Sequence, residues 1–138
     1  VLGRAIHRSA DFRPGDDRPE TLHLRKIIDG KIKNALTCVV TESILLLIHL
    51  DVEDPAAAFV AEWERAAVKH PGMTLDCDGP TDENRFYALA EEAGEVAASL
   101  TYDNANSTGH NADTIAEVTQ VGALALAWLT RYQDGENR

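Results

Sequence analysis

A chain of 138 residues falls within the usual size of one domain and is long enough to bury one core, so a single domain is expected. Its formal net charge of −10 argues against a surface that grips nucleic acid by phosphate neutralisation, which needs clustered Lys and Arg facing outward. Two cysteines, Cys38 and Cys77, are too few and too far apart for a zinc framework or a disulfide scaffold, and free thiols in a reducing cytoplasm are expected.

Residues 1–18 mix Arg, Asp, Pro and Gly without hydrophobic period and read as an irregular, basic arm that packs little. Basic residues cluster early: residues 1–33 carry +3 and residues 34–138 carry −13. Residues 19–138 are expected to form the single domain. From Glu20 the apolar positions Leu22, Leu24, Ile27, Ile28, Ile32, Leu36 and Val39 recur at mostly helical spacings, weakened at Gly30, a candidate break or cap, so a helix or a helix pair is expected. The stretch from Thr37 to Leu50 is rich in β-branched residues and has local strand propensity, but no second strand is available to pair with it, so helix is expected. Its longest uninterrupted apolar run, Ile44 to Ile48, falls short of the roughly 20 residues of a membrane span, and no signal peptide precedes it. A soluble protein with no membrane partner is the expectation.

Asp54-Pro55 is a start signal, a capping side chain followed by proline at the first helical position. The helix it opens runs through Ala58, Val60, Trp63 and Ala67 to His70, where Pro71-Gly72 stops it. After a loop over residues 71–81, Thr81 caps a helix from Asp82 to about Leu100. Residues 101–112 are polar and turn-forming, and Asp113 caps a last helix through Ile115, Val118, Val121, Leu124, Trp128 and Leu129. The fold class is therefore all-α, a helical bundle. Within the loop, Asp76-Cys77-Asp78-Gly79 has a scrap of calcium-loop character, but Pro80 interrupts it and the later acidic ligands are absent.

The chemistry concentrates in two acidic pairs, Glu91-Glu92-Ala93-Gly94-Glu95 and Glu117-Val118-Thr119-Gln120. Three residues along a helix is a rotation of roughly 300°, so Glu92 and Glu95 share a face, as do Glu117 and Gln120. Two such faces brought together make an oxygen-lined cup, which is repulsive unless a hard cation such as Mg²⁺ sits in it. The bland alternative is the solvated face of an amphipathic helix. Against it stand Gly94, costly mid-helix unless a close backbone approach requires it, and Glu117, nearly the only charge among Ile115, Val118 and Val121.

These motifs resemble those of the MazG-like all-α nucleoside triphosphate pyrophosphohydrolases, which carry Glu-Glu-x-x-Glu on one helix and Glu-x-x-Asp on the next. The resemblance spans roughly residues 58–132. It implies Mg²⁺, with Mn²⁺ as a substitute, on Glu92, Glu95, Glu117 and the fourth position, here Gln120 in place of Asp. An amide can ligate through its carbonyl oxygen but brings no charge. The implied reaction is hydrolysis of a nucleoside triphosphate to monophosphate and pyrophosphate by an in-line water, with Glu91 orienting or deprotonating that water. For the phosphates the cations of the acidic body are Arg65, Lys69, Arg85 and Arg131, with Lys69 and Arg85 assigned to substrate, and Trp63, with Tyr87 as a second candidate, assigned to base stacking. Similar proteins act as dimers, so the bundle is expected to be completed by a second copy, as a homodimer or a dimer of dimers. Two other readings stay open: a helical dimerisation or regulatory module that kept the fold and lost catalysis, favoured by Gln120, and a di-iron bundle, disfavoured because no His stands three residues after Glu92 or Glu117.

Overall fold

The computed structural model describes Leu2, Arg4 and residues 15–101 and 113–134, and among these it contains four helices and no strand. They are α1 (Pro19–His49), α2 (Pro55–Lys69), α3 (Asp82–Ser99) and α4 (Thr114–Asp134). Of the single helix or helix pair expected here, the structure has the single helix: α1 runs 31 residues without interruption at Gly30. Burial overrides the glycine's poor propensity, because Ile28 and Ile32 on either side of it are packed into the core. The β-branched stretch is helical too. Its threonines satisfy their hydroxyls within the helix, Thr37 donating to the Lys33 carbonyl and Thr41 to the Thr37 carbonyl, both at 2.9 Å.

The caps match their sequence signals. Asp54 accepts from the Ala57 N–H at 2.9 Å, Thr81 from the Asn84 N–H at 3.2 Å, and Asp113 from the Ile115 N–H at 3.0 Å. At the end of α1, Asp51 takes a left-handed conformation, φ 62°, and the Val52 N–H reaches back to the Leu47 carbonyl at 2.9 Å. Val52 then packs on the cluster around Leu47, the apolar contact that accompanies this kind of helix stop.

Helix α4 is the hub. Each of α1, α2 and α3 packs on it, α1 meets α2 only briefly, and the backbone of α3 comes close to neither. The sequence of α4 explains the role, since Val118, Val121, Gly122, Ala123, Ala125, Ala127 and Trp128 are buried around nearly its whole circumference. One core joins Ile28, Ile32 and Leu36 of α1 to Leu89 of α3 and to Val121, Ala125 and Trp128 of α4. A second joins Leu47 of α1 and Phe59 of α2 to Val118 and Ala123. The far end of the Phe59 ring lies against Gly122, where an added Cβ would collide with it.

The irregular arm expected over the first eighteen residues mostly lies outside the described ones; of those described, Leu2 packs against the larger core. By length and composition α1 does reach what a membrane span requires, contrary to the reading from its longest apolar run; its inner face is that of a bundle's core helix. Cys38 and Cys77 are free thiols, as expected.

Candidate metal centre and adjoining cleft

The two acidic helices meet and bring their carboxylates together. Glu92 and Glu95 of α3 and Glu117 of α4 each place a carboxylate oxygen within 4.8 Å of the others, and all three side chains are half-buried. Glu92 lies deepest. Its Oε2 is shielded from solvent and has no hydrogen-bond partner. Burial, followed by the charges of Glu95, Glu117, Glu91 and Glu62, pushes the Glu92 carboxyl up to about 7. A buried oxygen without a donor beside two further carboxylates, all hard oxygen ligands, fits the demands of a divalent cation such as Mg²⁺.

Gln120 lines the same region but presents its amide nitrogen to it: Nε2 donates to Glu117 Oε2 at 3.2 Å. To offer its carbonyl oxygen to an ion, the amide would have to turn over and give up this bond. Glu91 is exposed and outside the cluster of three, although its charge still acts on Glu92.

A cleft of about 130 Å³ opens between α2 and α4 beside Glu92. Its wall includes Glu62, Trp63, Arg65 and Lys69 of α2, with Glu92 and Gln120 across from them. Trp63 is fixed at its polar edge, Nε1 donating to Asp76 Oδ1 at 3.1 Å. Tyr87 does not line this cleft; it is exposed and leans on Phe86 with ring centroids 5.9 Å apart.

Arg85 does not serve the site as the sequence suggested. It is 3 % exposed, and its guanidinium is committed to the loop after α2, donating to the Leu75 carbonyl at 2.9 Å, the Cys77 carbonyl at 2.6 Å and Asp82 at 2.9 Å. Arg131 joins it from α4, donating to the carbonyls of Asp76 and Cys77 at 2.9 and 2.8 Å and to Asp78 at 3.0 Å. The two arginines pin the loop whose Asp76 holds Trp63. The acidic loop residues Asp76 and Asp78 are thus engaged by Trp63 and Arg131.

Glu62 escaped the sequence reading. Phe59, Glu62, Trp63 and Ala66 follow the i, i+3, i+4, i+7 spacing of one helix face, and Phe59 is core, so the signal existed. Gly94 was misread: among the described residues a Cβ there would meet nothing within 4 Å, so no close approach among them requires the glycine.

Set against protein-family models, curated proteins and solved structures, the chain matches none of them.

Proposed function

We propose that this chain is a Mg²⁺-dependent nucleoside triphosphate pyrophosphohydrolase that cleaves its substrate to the monophosphate and pyrophosphate in the housekeeping of nucleotide pools. The observation that carries the reading is the convergence of Glu92, Glu95 and Glu117, with an unpartnered Glu92 oxygen, at the edge of a cleft that also bears cations. These three carboxylates would hold the ion. Bound Mg²⁺ supplies neutralisation of phosphate oxygens and acidifies water at neutral pH. Lys69, at the end of α2, offers a point charge to the phosphates. Trp63, held at its indole N–H, offers a fixed face to the base. Glu91, exposed beside the cluster, is the group to take a proton from the attacking water onto a carboxylate oxygen.

Assembly as a homodimer belongs to the same proposal. The outer side of α1 leaves Leu24, Ile27, Leu45 and Ile48 in solvent, and a largely apolar groove of about 320 Å³ lies between α1 and α3 over Val118 and Val121. A second copy covering these surfaces would bury them and complete the bundle.

The second reading, a helical module without catalysis, draws on the Gln120 amide that faces Glu117 where an acid would bring charge. Pyrophosphate release from a panel of canonical and modified nucleoside triphosphates, with Mg²⁺ or Mn²⁺, separates the two. Release that needs the metal and disappears in Glu92→Gln is expected; a folded protein silent across the panel would transfer the weight to the module.

A further inference from the structure

We infer that Arg65 is the anion anchor of the cleft and that Glu62 is its latch, occupying the guanidinium until a phosphate competes for it. The inference rests on the reading of the cleft as a phosphate site.

Of the arginines on α3 and α4, Arg85 and Arg131 are spent on the loop, whereas Arg65 and Lys69 line the cleft itself. Arg65 meets Glu62 fork to fork, Nε donating to Oε2 at 2.7 Å and Nη2 to Oε1 at 2.6 Å. That two-pronged geometry is the one by which arginine grips a phosphate, so carboxylate and phosphate compete for the same donors. The halves of the pair are unequal. The Glu62 side chain is 17 % exposed and the Arg65 side chain 55 %, so the carboxylate is the seated partner and the guanidinium the one that can swing without much loss of burial.

Releasing Arg65 takes from Glu62 its ion-pair partner in a cleft that already contains Glu92. Exchange is therefore easiest once positive charge has reached the carboxylates. Cation capture by the glutamates and anion capture by Arg65 become mutually reinforcing, and the linkage is reciprocal. With no cation present, the latch keeps the cleft from holding a bare polyphosphate.

The test is affinity for inorganic triphosphate, measured by calorimetry on the full chain with EDTA present. Glu62→Gln should tighten binding by about fivefold, the exchange of one part-exposed ion pair. Glu64→Gln, which removes the same charge from an exposed position on the same helix, should change it by less than about twofold. Adding Arg65→Gln to Glu62→Gln should cancel the gain. No gain in Glu62→Gln, an equal gain in Glu64→Gln, or a gain that survives the loss of Arg65 would each overturn the latch. Helical melting curves identify any variant that fails to fold, and Arg65→Lys, which keeps the charge and loses the fork, then serves as the second variant: it should weaken Glu62→Gln as the glutamine does, and retention of the gain would also overturn the latch. Mn²⁺ titration of the wild type and Glu92→Gln runs separately. Absence of Mn²⁺ binding would remove the metal reading, while the metal-free triphosphate series still decides the latch.

Discussion

Glu92 is held in an environment that opposes its own charge, with Glu95, Glu117, Glu91 and Glu62 around it and Arg65 and Lys69 on the facing wall. In the metal-free protein its carboxyl titrates near 7 against 4.5 for the free side chain. Between those values the folded state holds more protons than the unfolded one, so stability falls as pH rises, and the loss is complete above about 7. Chemical denaturation without metal should show about 1–2 kcal/mol lost between pH 5 and pH 8, discounted for the partial exposure of the residue, and Glu92→Gln should flatten that slope. An unchanged slope in the variant would place the titration elsewhere. Glu92, Glu95 and Glu117 were legible in the sequence because their polarity conflicts with the apolar positions beside them. Arg85 was not, since a buried arginine that serves backbone carbonyls has the same spacing as one that serves a ligand. Glu62 was lost among the acids of α2, although its register with Phe59 places it on the inward face.

At the scale of the element, helix starts and stops were the most legible features, because a cap is a local device: Asp54, Thr81 and Asp113 act within three residues of themselves. Continuity was not local. Whether α1 breaks at Gly30 is decided by what Ile28 and Ile32 bury against, which lies in α4. The two glycines of the acidic helices make opposite predictions. Gly122→Ala should cost about 1–3 kcal/mol in denaturant unfolding, since the new methyl meets the Phe59 ring and pushes α2, with the cleft wall it carries, away from α4. Gly94→Ala meets open space and should stabilise the isolated chain by about 0.5–1 kcal/mol. Equal effects at both sites would contradict the packing described for α2 on α4.

At the scale of the whole molecule, the all-α class was evident from the period of the apolar residues, whereas the arrangement around α4 was not. Periodicity tells which face of a helix is buried but not against which neighbour. It also left α1 ambiguous, because a helix apolar on more than one side can be a core helix, a membrane span or half of an interface. The proposed dimer predicts a specific outcome. Sedimentation equilibrium at micromolar concentration should give twice the chain mass, and Leu45→Glu with Ile48→Glu, at positions 54 % and 55 % exposed, should return it to the monomer with helicity intact. A wild type that sediments as one chain would remove the second copy from the proposal.

The dependence of three helices on α4 also orders events during synthesis. Translation proceeds at about 5–20 residues per second, and the helix that all the others need is the last of the four to be made. Until residues 114–134 emerge, α1 has no surface for Ile28, Ile32 and Leu36, and Glu92 has no Glu117 to face. A nascent chain of this protein therefore exposes the apolar face of its longest helix to whatever chaperone attends the ribosome, and it acquires its core and its carboxylate cluster in one late step.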